Sequence, residues 1–134
     1  MSNGDMTFRE QNMVKWVGCR PAHNGDQVLE NCSVVDGTDT IYTVPADKIF
    51  YLCNVNVMQR NNSTGLVEVD LYDDVPALVC RLVMCRSQID RARLSDSRSF
   101  WPPMEIPEGY AIKGVSSNAA VRCDGSIFGW VEDA

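Results

Sequence analysis

Leu66-Val67-Glu68-Val69-Asp70-Leu71-Tyr72 is the stretch of this sequence that decides the fold. Val67, Val69 and Leu71 occupy every second position, and polar or amphipathic side chains stand between them. Successive side chains of a β-strand point to opposite faces of its sheet. This period of two therefore predicts a strand with one face in a hydrophobic core.

The same alternation continues outward from this stretch in both directions. Strands are predicted over 28–35, 40–44, 50–59, 66–72, 77–85, 110–116, 119–123 and 126–131. Clusters of Gly, Pro, Asn and Asp separate them, as is typical of turns. Asp124-Gly125 alone separates the last two, which predicts a tight hairpin. No window shows the period of an amphipathic helix, so we expect an all-β, antiparallel sandwich or barrel.

Two segments depart from this rhythm. Residues 1–27 are polar and are predicted to form an N-terminal arm ahead of one domain over 28–134. Within the arm, the apolar patch 13–17 carries Trp16; it either docks on the sheet edge of a neighbour or forms the first strand of the chain's own sandwich. Residues 86–100 carry four of the nine arginines and are predicted to be a long loop.

Composition excludes several classes of function. The formal net charge of −6 and the pI near 4.6 argue against a nucleic-acid-binding surface, which needs a positive footprint. No run of 18 apolar residues is present, so no membrane-spanning helix is predicted. The first residues show no signal-peptide pattern, so we expect synthesis in a cytoplasm and six reduced cysteines in preference to disulfides.

The sequence offers little for catalysis or metal binding. His23 is the single histidine, and its spacing from Cys19 and Cys32 matches no standard zinc motif. A nucleophilic triad would also need His23, which lies in a turn-like segment. Asp73 and Asp74 lack the regular ligand pattern of a calcium loop and are interpreted as turn residues. We therefore expect no catalytic residue, no metal and no cofactor.

Interaction surfaces are the remaining candidates for function. The predicted strands 77–85 and 126–131 are apolar on both faces, although a two-layer sandwich buries only one face of each sheet. An oligomer interface is the favoured cover for the second face, and the chain's own arm is the alternative. The 86–100 segment could be a solvated loop or a contact with a protein partner. Candidate contact residues are Trp16, Val79, Val83, Arg91, Arg93, Arg98, Trp101, Phe128 and Trp130.

Two segments carry a resemblance to a known family. Residues 40–52, TIYTVPADKIFYL, resemble the "TVPAGK" opening of many small virion proteins of tailed phages. Residues 103–112, PMEIPEGYAI, followed by 115–117, resemble their "P-x-x-I-P-x-G-Y-x-I" close. The resemblance runs from about residue 38 to the end and implies a β-sandwich of jelly-roll type. Asp47 stands where the pattern has Gly, so this turn is not expected to need a positive φ.

The resemblance also implies a virion structural protein. The two-faced strands, the polar arm and the acidic surface favour a head decoration (cement) protein that binds the major capsid shell as a homo-oligomer, with a trimer preferred. A tail, fibre or connector component is the alternative. A carbohydrate-binding module that uses exposed aromatics such as Tyr72, Trp101 and Trp130 is a third class. The expected partners are further copies of the chain and the major capsid protein or other virion proteins, in a virion assembled in the host cytoplasm, without nucleic acid or membrane.

Overall fold

The structure, a computed structural model, describes residues 25–60, 64–87 and 94–134. These ranges contain eight β-strands. The strands are β1 (Asp26–Val35), β2 (Gly37–Thr43), β3 (Lys48–Gln59), β4 (Gly65–Tyr72), β5 (Leu78–Ser87), β6 (Ser95–Ile106), β7 (Ala111–Ser116) and β8 (Arg122–Asp133). These ranges contain no helix, and so none that could cross a membrane.

The strands form two four-stranded antiparallel sheets. Sheet A has the order β1-β8-β3-β6 and sheet B the order β2-β7-β4-β5. The chain crosses between the sheets at every connection except β4 to β5, which are neighbours in sheet B. Eight strands interleaved in this way form a double-sheet jelly roll. The predicted all-β sandwich of jelly-roll type is confirmed.

The core lies between the two sheets. The alternation in β4 is confirmed, because Val67, Val69 and Leu71 are buried in the core while Glu68 and Asp70 lie on the outer face of sheet B. The largest fully buried apolar side chains come from both sheets: Phe50, Leu52, Ile106, Ile112 and Ile127. Each such side chain stabilises the fold by about 1.5–3 kcal/mol relative to an exposed position.

The hairpin predicted at Asp124-Gly125 is wrong, because β8 runs unbroken from Arg122 to Asp133. A Cβ on Gly125 would lie 2.9 Å from a methyl group of Val69, which belongs to sheet B. The glycine therefore serves the close approach of the two sheets instead of a turn. Two strands predicted over 119–123 and 126–131 are in fact one.

The long loop predicted over 86–100 is wrong in part. β5 extends to Ser87 and β6 begins at Ser95, while residues 88–93 lie outside the described ranges. Pro102 and Pro103 lie within β6, at a shift in its register with β3, and the Trp101–Pro102 peptide bond is cis. Prolines are tolerated there because β6 is an edge strand of sheet A.

Bulges in β5 change which side chains reach the core. The register with β4 shifts between Val83 and Arg81, and again between Cys80 and Leu78. Leu82 and Val83 are consequently both buried although they are consecutive. Cys85 is buried and Cys80 is partly buried against the same core, so their odd spacing does not place them on opposite sides of the sheet.

Residues 1–24 of the predicted arm lie outside the described ranges, and so does the 13–17 patch with Trp16. Of the remaining arm residues, Asp26 and Gln27 begin β1 and pair with Val131 and Trp130 of β8.

Candidate functional site

Among the described residues, the jelly roll has two open sides, and these are the candidate assembly surfaces. On one side the edge strands β5 and β6 of the two sheets lie next to each other; on the other, β1 and β2 do. We call them the β5–β6 side and the β1–β2 side. An edge strand presents unpaired backbone N–H and C=O groups, so each side could take up further chains.

The β5–β6 side combines exposed apolar side chains with arginines. Its apolar members are Leu78, Val79, Met84, Leu94 and Trp101, and its arginines are Arg81, Arg86 and Arg98. Trp101 is 57% exposed, the largest of these side chains. Aromatic residues, methionine and arginine are enriched in protein–protein interfaces relative to the rest of the surface. This side therefore has the composition of a contact surface.

The β1–β2 side is acidic. Asp26, Glu30, Asp36 and Asp39 are all exposed along its two strands and the residue between them. No Lys or Arg occurs between residues 26 and 43. The two open sides of one molecule thus differ in charge, and a carboxylate-bearing edge is complementary to an arginine-bearing one.

The structure separates the two predicted contact residues of β5. Val79 is 50% exposed on the β5–β6 side, whereas Val83 is a core residue with 4% exposure. The bulge between Val83 and Arg81 is the physical reason, because it reverses the inside–outside alternation. Val83 is therefore not available for contact with a partner in this fold.

Arg98 and Trp101 both lie on β6, in the exposed part of the β5–β6 side, together with Val79. Arg91 and Arg93 fall outside the described ranges, as does Trp16.

Phe128 and Trp130 lie on the outer face of sheet A, on β8, which β3 separates from the edge strand β6. Phe128 is partly buried, but Trp130 is only 4% exposed. The ring of Trp130 stacks on Tyr51 at a centroid distance of 5.2 Å, and its Nε1 donates a hydrogen bond to Glu132. Trp130 is thus engaged within the chain and is not an exposed contact.

The two segments that carried the sequence resemblance meet in space. The amide of Val44 donates to the carbonyl of Tyr110 at 2.9 Å, and the amide of Gly109 donates back to the carbonyl of Val44 at 3.0 Å. The amide of Asp47 donates to a carboxylate oxygen of Glu108 at 2.7 Å. Asp47 adopts φ 62°, so the expectation that this turn avoids a positive φ is wrong.

Acidic side chains on the outer face of sheet B form a second polar cluster. Asp70 is 1% exposed, and burial together with the neighbouring Glu68 raises its pKa to about 7. Arg81 holds Glu68 in an ion pair at 3.0 Å, and Lys113 lies 4.7 Å from the ring centre of Tyr72. Burial and the neighbouring Glu68 thus favour the neutral form of Asp70, and Arg81 opposes this effect.

Among the described residues, no three His, Cys, Asp or Glu side chains are grouped so that they could hold a metal ion. Asp73 accepts hydrogen bonds from the amides of Val75 and Ala77, at 2.9 and 2.7 Å, so this carboxylate orders the turn before β5. No disulfide joins any two of the five described cysteines. A hydrogen bond between the thiols of Cys32 and Cys123 lowers the pKa of Cys32 and raises that of Cys123.

The sequence did not predict strand β6, although two of its residues, Arg98 and Trp101, are among the predicted contacts. The only signal for β6 was the spacing of Phe100, Met104 and Ile106, which all turn toward the core. Pro102-Pro103 interrupts that spacing and is itself typical of a break.

No family model matches this chain, and no curated protein matches it either. Three solved structures are similar in outline. A chain of the capsid asymmetric unit of cyanophage Pam1 is 16% identical, with a TM-score of 0.48 over 82% of this chain and 89% of that one. A pentameric capsid protein isolated from metagenomic phage sequences is 17% identical, with a TM-score of 0.43 over 78% of this chain and 61% of its own length. A protein of Bacillus endospore appendages, which are disulfide-linked pili, is 11% identical, with a TM-score of 0.46 over 82% and 87%.

Proposed function

We propose that this protein is a structural component of a phage virion, and specifically a head decoration protein that binds the major capsid shell as a homo-oligomer. The observation that carries the proposal is the pair of open sides, one apolar and arginine-bearing, the other acidic. Two such complementary sides allow copies of the chain to bind one another, and this role requires no catalytic residues.

The virion assignment is supported by the joined turns at Val44 and Gly109. The two segments that resemble phage virion proteins, 40–52 and 103–112, are far apart in sequence and are hydrogen-bonded to each other in the fold. Each launches a strand of the jelly roll, β3 after the first and β7 after the second. The resemblance thus falls on one structural unit, and the jelly roll is an architecture used by viral capsid domains.

Contact between unlike sides sets the symmetry of the oligomer. If the β5–β6 side of one copy meets the β1–β2 side of the next, the interface is heterologous, and such contacts form a ring when the rotation between copies closes. A trimer is the ring we expect. Arg98 and Arg86 on one copy would then face Asp39 and Glu30 on the next, with Val79 contributing apolar area.

The oligomer is tested by light scattering after size-exclusion chromatography of the full chain and of Val79→Asp. We expect a mass near three times 14.9 kDa for the native chain and a lower mass for the variant, because Val79 is exposed and its replacement places a carboxylate against the acidic side. Ala119→Asp, in the exposed turn before β8, is the matched control and should keep the native mass. An unchanged mass for Val79→Asp would contradict this interface.

The location is tested by co-expression with the major capsid protein of the same genome, followed by sedimentation of the assembled shells. We expect the protein to sediment with shells at a fixed ratio. Its absence from shells, with recovery in a tail or fibre fraction, would replace the decoration assignment by the tail assignment.

A further inference from the structure

The outer face of sheet A carries an open groove of about 600 Å³ that the proposed function does not use. All four strands of the sheet contribute to it. Its floor includes Asn31, Asn56, Ser97 and Ser126.

These four side chains form one continuous row across the sheet. Asn31 of β1 is the register partner of Ser126 in β8, Ser126 that of Asn56 in β3, and Asn56 that of Ser97 in β6. Neighbouring strands lie about 4.8 Å apart, so the row presents an amide or hydroxyl group at each step of that length. Amides and hydroxyls both donate and accept hydrogen bonds.

Internal hydrogen bonds fix the central groups of the row. The Asn56 amide nitrogen donates to the Asn54 side-chain oxygen at 2.8 Å and lies 3.4 Å from the Ser126 hydroxyl oxygen. The Asn54 amide nitrogen donates to the Ser99 hydroxyl at 2.9 Å. Asn31 and Ser97, at the two ends of the row, are exposed, and their side chains make no hydrogen bond within the described ranges. The centre is preorganised and the ends are available to a ligand.

An apolar strip runs beside this row. Leu29 of β1 is the register partner of Phe128 in β8, and each lies two residues along its strand from the row residue on the same face. Leu29 is 72% exposed and Phe128 is partly buried. A matching ligand must therefore present hydroxyl groups toward the row and an apolar C–H face toward the strip.

The charged groups near the groove lie at its rim. Arg60 and Asp124 lie 3.6 Å apart as an ion pair at one end. Asp96 accepts hydrogen bonds from the backbone amides of Met84, at 3.3 Å, and Ser97, at 2.9 Å. Arg122 donates to the Ser33 hydroxyl at 3.0 Å, and the Oδ1 atom of Asp124 is buried without a hydrogen-bond partner in the described part of the chain. A groove whose floor consists of amides and hydroxyls, with charges only at its rim, favours an uncharged ligand over an ionic one.

We propose that this groove binds a neutral carbohydrate chain. A pyranose ring has hydroxyl groups at its edge and C–H groups on its face, which fits the row and the strip together. The core of a protein interface, by contrast, is enriched in aromatic residues and arginine and depleted in serine. The site does not use the aromatics considered from sequence alone. Trp130 is covered, and Tyr72 lies on the other sheet beneath Lys113. Trp101 is exposed on β6 but does not line the groove.

The test is a nuclear magnetic resonance titration of the ¹⁵N-labelled full chain with neutral linear hexasaccharides, namely α-1,4- and β-1,4-linked glucose, β-1,3-linked glucose and β-1,4-linked mannose. We expect at least one of these probes, at up to about 10 mM, to shift the side-chain amide signals of Asn31, Asn54 and Asn56 in a saturable way. No saturable shift with any of the four, or shifts confined to sheet B, would overturn the proposal. Equivalent shifts caused by raising the protein concentration alone would identify the face as a contact between copies, and would also overturn it.

Variants at the ends of the row separate binding from folding. Asn31→Ala and Ser97→Ala remove exposed side chains that make no hydrogen bond in the described fold, so the rest of the spectrum should be unchanged. Each should weaken binding about three- to tenfold, as expected for one lost hydrogen bond. Thr40→Ala, exposed on β2 of sheet B, is the control and should bind like the native chain. Unchanged affinity in both end variants would contradict the assigned site.

Discussion

Asp47 occupies the left-handed backbone region, with φ 62°, in the turn between β2 and β3. A side chain with a Cβ is disfavoured in this region, and glycine is not. The hydrogen bonds at Asp47 are made by its backbone, which accepts from Ala134 and donates to Glu108. Asp47→Gly should keep them and raise the free energy of unfolding by about 0.5–1 kcal/mol, as measured by urea denaturation. Asp47→Ala keeps the Cβ and should give no gain; a loss of stability in Asp47→Gly would contradict the argument.

Asp70 makes the stability of the fold depend on pH. Its pKa is raised to about 7 in the folded state by burial and by Glu68, against an ordinary value of 3.8. The folded chain then holds a proton that the unfolded chain releases, so stability is fully present below about pH 4 and is lost as the pH rises through about 7. Arg81 opposes the shift, since it favours the charged carboxylate.

Asp70→Asn should remove this loss, because an amide has no proton to release. Between about pH 5 and about pH 8, the free energy of unfolding of the native chain should fall by about 1–3 kcal/mol more than that of the variant. Urea denaturation at both pH values measures the difference. Asp74→Asn, at an exposed position, should follow the native chain. Parallel pH curves for the native chain and Asp70→Asn would show that Asp70 is not the group responsible.

At the scale of the strands, the elements with one clear apolar face could be predicted and the edges could not. β4 was found because its neighbours on both sides force a strict division between core and outer face. β6 was not predicted because Ser95 to Ser99, on an edge strand, are exposed on both faces of the sheet. Such a segment shows no alternation of apolar and polar residues. Asp124-Gly125 was misinterpreted because glycine also serves the close packing of two sheets, which only the tertiary structure shows.

The candidate contact surface was predictable to a similar extent. Val79, Arg98 and Trp101 were chosen from sequence and lie on the β5–β6 side. Val83 was predicted as a contact from the same alternation, but it lies in the core. The bulge that turns it inward cannot be recognised from the local sequence. The row on sheet A was not predicted, since its members come from four strands whose mutual register depends on the whole fold.

At the scale of the whole molecule, the described part of the jelly roll leaves four edge strands, and these strands differ in the residues that they expose. β6 carries two prolines, and β1 and β2 carry exposed carboxylates, all of which discourage uncontrolled pairing of edges. β5 carries Leu78, Val79 and Met84 in exposed positions instead. β5 is thus the least protected edge, in agreement with its proposed role in assembly.

The same difference between edge and core should be visible in the cysteines of the intact protein. Cys80 is partly buried on edge strand β5, where local opening costs less than global unfolding, although burial raises its pKa and slows its reaction. Cys32, Cys85 and Cys123 are buried in the core. We expect iodoacetamide to modify Cys80 in the native state and the three core cysteines only at denaturant concentrations that unfold the chain, as followed by peptide mass spectrometry. Cys80→Ser should abolish the native-state modification among these four positions. Native-state modification of the core cysteines at the rate of Cys80 would show instead that the whole sandwich opens as one unit.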